Sequence, residues 1–342
     1  MSAQKITRRE FINQTVSTSL GAALLGQHLF AKEASKKWFQ KPATVVKVTH
    51  SQALAEDGTT NTTIVQQMIE KALCEFTQAK DGRDAWNHFV EPKDTIGIKI
   101  NTLGLRHVAG TKYTLHFHAV TSAITEGLKK IAVKPSNMLI WDMRERHLQE
   151  AGFSPNTEAS SAEIRCLSAQ ENDFDEKAYE LGGRTTYVTK ILTQDTSALI
   201  SVPLAKTHRM SGVTGALKFH YGTINNPRDF HADNCCNPGI AEVNTLPPIR
   251  EKTRVIIMDA LYTVIEGGPT WNLPNLRRTN SILVATDPVA LDCILLEMIE
   301  GFRKAENLEP ITPVAKHIKL AADLGLGEYD RAKINLVEIK LG

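Results

Sequence analysis

The chain has 342 residues, 40 of them Lys or Arg and 38 Asp or Glu, with 42% apolar and 6% aromatic content. This near balance of charge excludes the clustered basic excess that marks a nucleic-acid footprint. The length admits one large domain or two smaller ones, and no internal repeat, low-complexity tract or heptad run divides it.

The chain opens with Thr7-Arg8-Arg9-Glu10-Phe11-Ile12, continues through an uncharged stretch from Ile12 to Phe30, and reaches Phe30-Ala31-Lys32, where a small residue can precede a cleavage point. This is the charged, apolar, small-residue order of a removable signal, with the paired arginines of the twin-arginine variant. Asn13, Gln14, Thr15, Ser17, Thr18 and Ser19 interrupt the stretch. It is therefore too polar for a spanning helix, which needs about 20 predominantly apolar residues, and no other segment is a candidate. Residues 1–31 are expected to send the folded protein through the twin-arginine machinery to the periplasm. Folded export raises the expectation of a cofactor or metal ion inserted beforehand. Without Lys5, Arg8, Arg9 and Glu10 the remainder balances at 37 basic and 37 acidic residues.

Residues 32–42 read as a charged linker, and 43–342 as a single α/β domain, with a division into two subdomains left open. Strands are predicted at Ala43–Thr49, Asp94–Asn101, Asn137–Asp142, Ser197–Val202, Thr253–Asp259, Ser281–Thr286 and Lys333–Ile339. Helices are predicted from Asn61 or Thr62 to about Phe76, over His118–Ile131, from Asp287-Pro288 to about Phe302, and over Thr312–Leu324. Alternating strands and helices argue a mostly parallel sheet with helices on both faces. The near-continuous apolar runs NMLIWD, SALISV, TRVIIMD and SILVAT fit strands covered on both sides.

In such sheets ligands gather beyond the carboxyl ends of the strands. Lys99, Asn101, Asp142, Asp259 and the loop from Pro203 to Tyr221 are expected there. In that loop Lys206 and His208 follow a buried strand, Gly212 and Gly215 bracket Val213-Thr214, and Lys218, His220 and Tyr221 follow. Glycines let a backbone approach a ligand. Amides near Thr214–Leu217, with Lys206 and Lys218, suit a small anionic ligand or cofactor. Lys206, His208, Asp142 and Asp259 are the catalytic candidates; Lys99, Asn101, Gly212, Thr214, Gly215, Lys218 and Tyr221 are the binding candidates.

His107, His116, His118, His208, His220 and His231 lie in segments that could converge near strand ends. Imidazoles of His116, His118 and His220 are candidate metal ligands, His116 and His118 sharing one side if the chain there is extended. Asp287 reads as a helix cap, and Asp292, one turn on, could face the same cleft. The cysteines Cys74, Cys166, Cys235, Cys236 and Cys293 contain no Cys-x-x-Cys, so no ferredoxin-type iron–sulfur spacing is available. Cys235-Cys236 is open to a vicinal disulfide, a thiolate ligand or two plain thiols.

Three segments together resemble a known family. They are Trp141-Asp142 with Ala151-Gly152-Phe153; Leu199 to Thr223 (LISVPLAKTHRMSGVTGALKFHYGT); and Asp259-Ala260-Leu261 with Glu266-Gly267-Gly268-Pro269 and ATDPVALD at Ala285–Asp292. The tail AADLGLGEYD fits as well. The chain is similar to the domain of unknown function 362 family in its twin-arginine-exported form. The resemblance implies the fold and the export habit, and no settled reaction. Some relatives carry ferredoxin-type cysteines, which this sequence lacks. The reading is an exported, cofactor- or metal-dependent enzyme; the alternative is a non-catalytic anion- or metal-binding protein or an accessory of a redox complex.

Overall fold

Strict alternation along the strands builds two cores. The computed structural model describes residues 38–156, 162–170 and 173–342; the expected export signal lies outside them. In chain order the strands are β1 (Thr44–His50), β2 (Ile96–Ile100), β3 (Met138–Asp142), β4 (Arg165–Ser168), β5 (Phe174–Leu181), β6 (Arg184–Thr189), β7 (Ala198–Val202), β8 (Leu204–His208), β9 (Gly212–Val213), β10 (Thr253–Val264), β11 (Leu276–Ala285) and β12 (Asn335–Leu341). The helices used below are α1 (Thr62–Thr77), α2 (Leu115–Lys130), α3 (Gly215–Lys218), α4 (Pro288–Ala305) and α5 (His317–Asp323), with shorter helical turns between them.

Val46, Ile98, Met138, Ile200, Ile257 and Ile282 bury against α1 and α2. Their neighbours Val45, Leu139, Leu199, Ile256 and Leu283 bury on the opposite face against α4 and α5. Each strand thus points alternate side chains into one core or the other, and helices cover both faces. Phe39–Gly342 holds together as one unit. Part of the segment read as a linker belongs to it, because Phe39 packs edge-on against Phe76 and Phe89.

The strand order is β12-β1-β11-β10-β7-β2-β3-β4, with β8 pairing β10 and β9 pairing β8. Pairings are parallel except at β11, which runs antiparallel to β1 and β10, and at the β8–β9 hairpin. The expectation of a mostly parallel sheet is met in that coarser form: the sheet is mixed. The β5–β6 hairpin stands apart from it. From β2 the chain moves outward to β3 and β4, then returns to place β7 on the other side of β2. Between β2 and β7 the direction of winding reverses, which is where open α/β sheets form a crevice at their carboxyl edge.

Element bounds differ where a longer-range partner decides. Strand β10 continues past Asp259 because its antiparallel pairing with β11 runs on to Val264 opposite Leu276. Helix α2 begins at Leu115 and so includes His116 and His118. Helix α5 begins at His317, since Glu300 Oε1 accepts the N–H groups of Ile311 and Thr312 and holds that stretch as a turn. The cap reading of Asp287 is met. Its Oδ1 accepts from Val289 N and Ala290 N, and its Oδ2 accepts from Ala43 N and Glu328 N, tying both ends of the domain to the start of α4. Among the described residues no helix is long and apolar enough to cross a membrane.

Candidate functional site

At the reversal point a cleft of about 340 Å³ opens, lined among others by Lys99, Asn101, Asp142, His208, Thr214, Lys218 and Tyr221. Its floor is the end of β2 and β3. Lys99 stands in register with Trp141 and Ser201. Its ammonium lies 3.3 Å from Asp142 Oδ1 and 3.8 Å from the centre of the Phe219 ring. Gly222 passes so close that a Cβ there would sit 2.9 Å from Lys99 Nζ.

Asp142 is fully engaged. Its Oδ2 accepts from the amide and hydroxyl of Thr102, both at 2.7 Å, and its Oδ1 accepts from Met143 N at 2.7 Å. Burial would raise this carboxyl, but Lys99 and the three donors outweigh it and hold it below the usual value. Burial likewise pulls the Lys99 ammonium down, against the opposing attraction of Asp142.

Strand β8 continues β7 beyond Pro203 and carries Lys206 and His208. Lys206 does not reach the lining. It lies just behind, donating to Asn101 Oδ1 at 3.1 Å and Leu103 O at 2.8 Å, and burial pushes it down to about 7. His208 does line the cleft. Its Nδ1 accepts from Met210 N and Ser211 N, so Nε2 carries the proton. Burial first, then nearby Lys218, push this imidazole down to about 2, so it is neutral.

Lys218 closes the wall from α3. Its Nζ lies 3.2 Å from His231 Nε2, 3.7 Å from Cys235 Sγ and 3.8 Å from the Tyr221 ring centre, and burial pushes it down to about 8. Tyr221 donates its hydroxyl to Phe230 O. The buried hydroxyl of Thr214 has no hydrogen-bond partner. Cys235 and Cys236 are separate thiols, and burial raises both.

Several expectations are corrected. Asp259 is not at the cleft: it lies within β10, 1% exposed, with its Oδ2 2.5 Å from His116 Nδ1. Gly212 faces Ile311 and Ala315 rather than a ligand. Gly215 faces Asp292, whose carboxylate accepts from Ala216 N at 2.6 Å and Leu217 N at 3.0 Å. The amides expected to bind an outside anion therefore hold one from the chain itself, and Asp292 does not face the cleft.

The proposed metal histidines do not meet. His116 and His118 diverge on α2, where His118 Nε2 lies 3.0 Å from Ala151 O and its ring stacks on Phe153. His220 lines a different cavity, with Asn244 and Ile256. No group of three or more His, Cys, Asp or Glu side chains arranged for a metal occurs among the described residues.

The lining also includes Met143, Arg144, His147, Phe219 and Arg228, none of them among the candidates for site roles, and His231, one of the histidines expected to converge near the strand ends. Arg144 follows the strand-ending Asp142 by two residues, which could have marked it. His231 belongs to a loop 23 residues beyond His208, and Arg228 of the same loop had no local pattern pointing to the cleft. Neither Arg144 nor Arg228 makes an ion pair among the described residues.

No curated protein matches the chain. The family model for the domain of unknown function (DUF362) matches residues 96–297, a span that contains every residue lining the cleft and more than half of the chain, and the chain belongs to that family.

Proposed function

We propose that this is an exported enzyme whose cleft takes a small anionic substrate or an anionic cofactor. The supporting observation is the charge around the cleft. Lys99, Lys218, Arg144 and Arg228 line it and Lys206 stands behind, while Asp142, the one carboxylate among the described residues of the lining, is engaged by Lys99 and three other donors. Ammonium, guanidinium, imidazole N–H and hydroxyl groups suit an anion better than a bare metal cation. Amines held near neutrality and neutral imidazoles are suited to proton transfer.

A non-catalytic anion-binding or accessory protein is the second reading. The engagement of Asp142 favours it, because among the described residues of the lining no carboxylate is left as a base.

Calorimetric titration with inorganic phosphate, pyruvate and phenylpyruvate tests the site. Saturable binding of at least one is expected. Affinity should fall as pH rises through about 7 to 8, as Lys206 and Lys218 lose their protons. Lys218→Met should weaken binding about tenfold or more, equivalent to about 1.4 kcal/mol. No saturable binding of any of the three would end the proposal. A bound compound recovered chemically changed marks an enzyme; one recovered intact marks the second reading.

Residues 1–31 supply the export route in this proposal, on the Arg8-Arg9-Glu10-Phe11 order. Arg8→Lys with Arg9→Lys should leave the protein in the cytoplasm with its fold unharmed. An undiminished periplasmic yield of that double variant would contradict it.

A further inference from the structure

The three lysines of this region have different surroundings. Lys99 is held by Asp142 and also donates to Ile100 O. Lys206 is enclosed behind Asn101. Lys218 lines the cleft with no carboxylate within ion-pair distance among the described residues. What touches it instead is an imidazole set up as a base. His231 Nδ1 lies 2.7 Å from Pro227 O, which only accepts, so Nδ1 carries the ring proton and Nε2 turns a lone pair to Lys218 Nζ at 3.2 Å.

The loop that brings this base is strained. Asp233, Asn234 and Cys235 have φ of 48°, 53° and 66°, a run of non-glycine residues in the left-handed region. Strain of this kind persists where surrounding structure imposes it and gathers at working sites. Here it seats Cys235 Sγ against the Lys218 ammonium, beside His231.

We propose that Lys218 is an imine-forming nucleophile and that the cleft takes a 2-oxo acid with an apolar body. The inference rests on the reading of the cleft as an anion site. A lysine that is desolvated, without a counter-ion and close to other cations is the kind that attacks carbonyls. The carboxylate of such a ligand finds the His208 Nε2–H, the unpartnered Thr214 hydroxyl and the two arginines. Its apolar part finds Leu103, Met143, Phe219 and Pro269. The depressed amine, about 8 through burial, supplies a free-base fraction near neutral pH.

The chemistry balances without an outside reagent. The Lys218 ammonium gives one proton to His231 Nε2, and its lone pair adds to the carbonyl carbon while the carbonyl π pair moves to oxygen. That oxygen takes the proton back from His231. A second proton then passes from nitrogen, through His231, to the hydroxyl; the C–O bond breaks, water leaves, and the nitrogen lone pair forms C=N. Ammonium and carbonyl become iminium and water.

The full chain incubated with phenylpyruvate and cyanoborohydride should carry one reduced adduct, mapped by peptide mass spectrometry to Lys218 in the unmodified sequence. Phenyllactate, of the same shape but without the carbonyl, should bind and block the labelling. Lys218→Arg should abolish it, and His231→Gln should slow it about a hundredfold while phenyllactate still binds. Labelling spread over surface lysines and indifferent to phenyllactate would overturn the proposal. So would an absence of adduct at Lys218 while phenyllactate binds saturably, an outcome that leaves the anion site standing. No phenyllactate or phenylpyruvate binding at all would overturn this proposal, and a failure of phosphate and pyruvate to bind as well would remove the anion site with it.

Discussion

Asp142→Ala is expected to lower stability by about 3–5 kcal/mol, the usual consequence of removing one partner of a buried ion pair. The Lys99 side chain is 1% exposed and would be left as a buried cation without a counter-ion. The Thr102 amide, the Thr102 hydroxyl and Met143 N would lose their acceptor as well, each at a cost of about 1–3 kcal/mol if water cannot replace it. A domain with net stability on the order of 5–15 kcal/mol would then sit close to its unfolding threshold. Removing the cation too should reverse much of the loss: Asp142→Ala with Lys99→Met is expected to be more stable than Asp142→Ala alone. Urea unfolding of the two variants and the parent decides this; a single variant as stable as the parent would refute the pairing.

The sign of the pH effect follows from the depressed carboxyl. Asp142 contributes stability above its unfolded value of about 3.9, and that contribution is lost as pH falls through the lower folded value. Asp142→Asn should therefore show a shallower loss of stability in acid than the parent.

The sheet and its crevice were legible because they rest on local periodicity and one topological rule. Runs such as SALISV announce doubly covered strands, and parallel β2, β3 and β7 bring Asn101, Asp142 and the Pro203–Tyr221 loop to one edge. Asp259 escaped the rule because β10 does not end there; its pairing with β11 carries it on to Val264, so its carboxylate sits mid-strand, where His116 reaches it. His116 and His118 were placed together on the assumption of an extended chain. A helix instead sets residues two apart by about 200°, which sends one to Asp259 and the other to Ala151. The β5–β6 hairpin had a readable signal in Gly182-Gly183, both with positive φ, the dipeptide type that favours a two-residue hairpin turn. Arg228 had none, and His231 was marked only as one of several histidines, because their place at the cleft is set by how a strained loop returns over α3.

The same distinction explains Gly215, which looked like a ligand-facing glycine and is instead a point of close internal contact. Gly215→Ala is expected to cost about 3–5 kcal/mol. The residue has φ +54°, and a Cβ there would lie 2.1 Å from Asp292 Oδ1 and 2.5 Å from its Cγ. The left-handed backbone alone costs a residue with a Cβ about 1–2 kcal/mol. The contact adds more, since α4 cannot yield without disturbing its packed face, and the carboxylate must leave Ala216 N and Leu217 N. A buried carboxylate without those donors carries its full desolvation cost. Burial already pushes Asp292 up to about 7 despite the two amides. Its contribution to stability is therefore full below the unfolded value and is lost as pH rises through about 7. Gly215→Ala, by stripping the donors, should make the loss with rising pH steeper. Because α3 carries Lys218 and follows Thr214 directly, the variant should also lose phosphate or pyruvate binding under conditions where it remains folded. Unfolding curves at pH 5 and pH 8 test the first two statements. A variant as stable as the parent at both would mean that Asp292 and α3 are not packed as described.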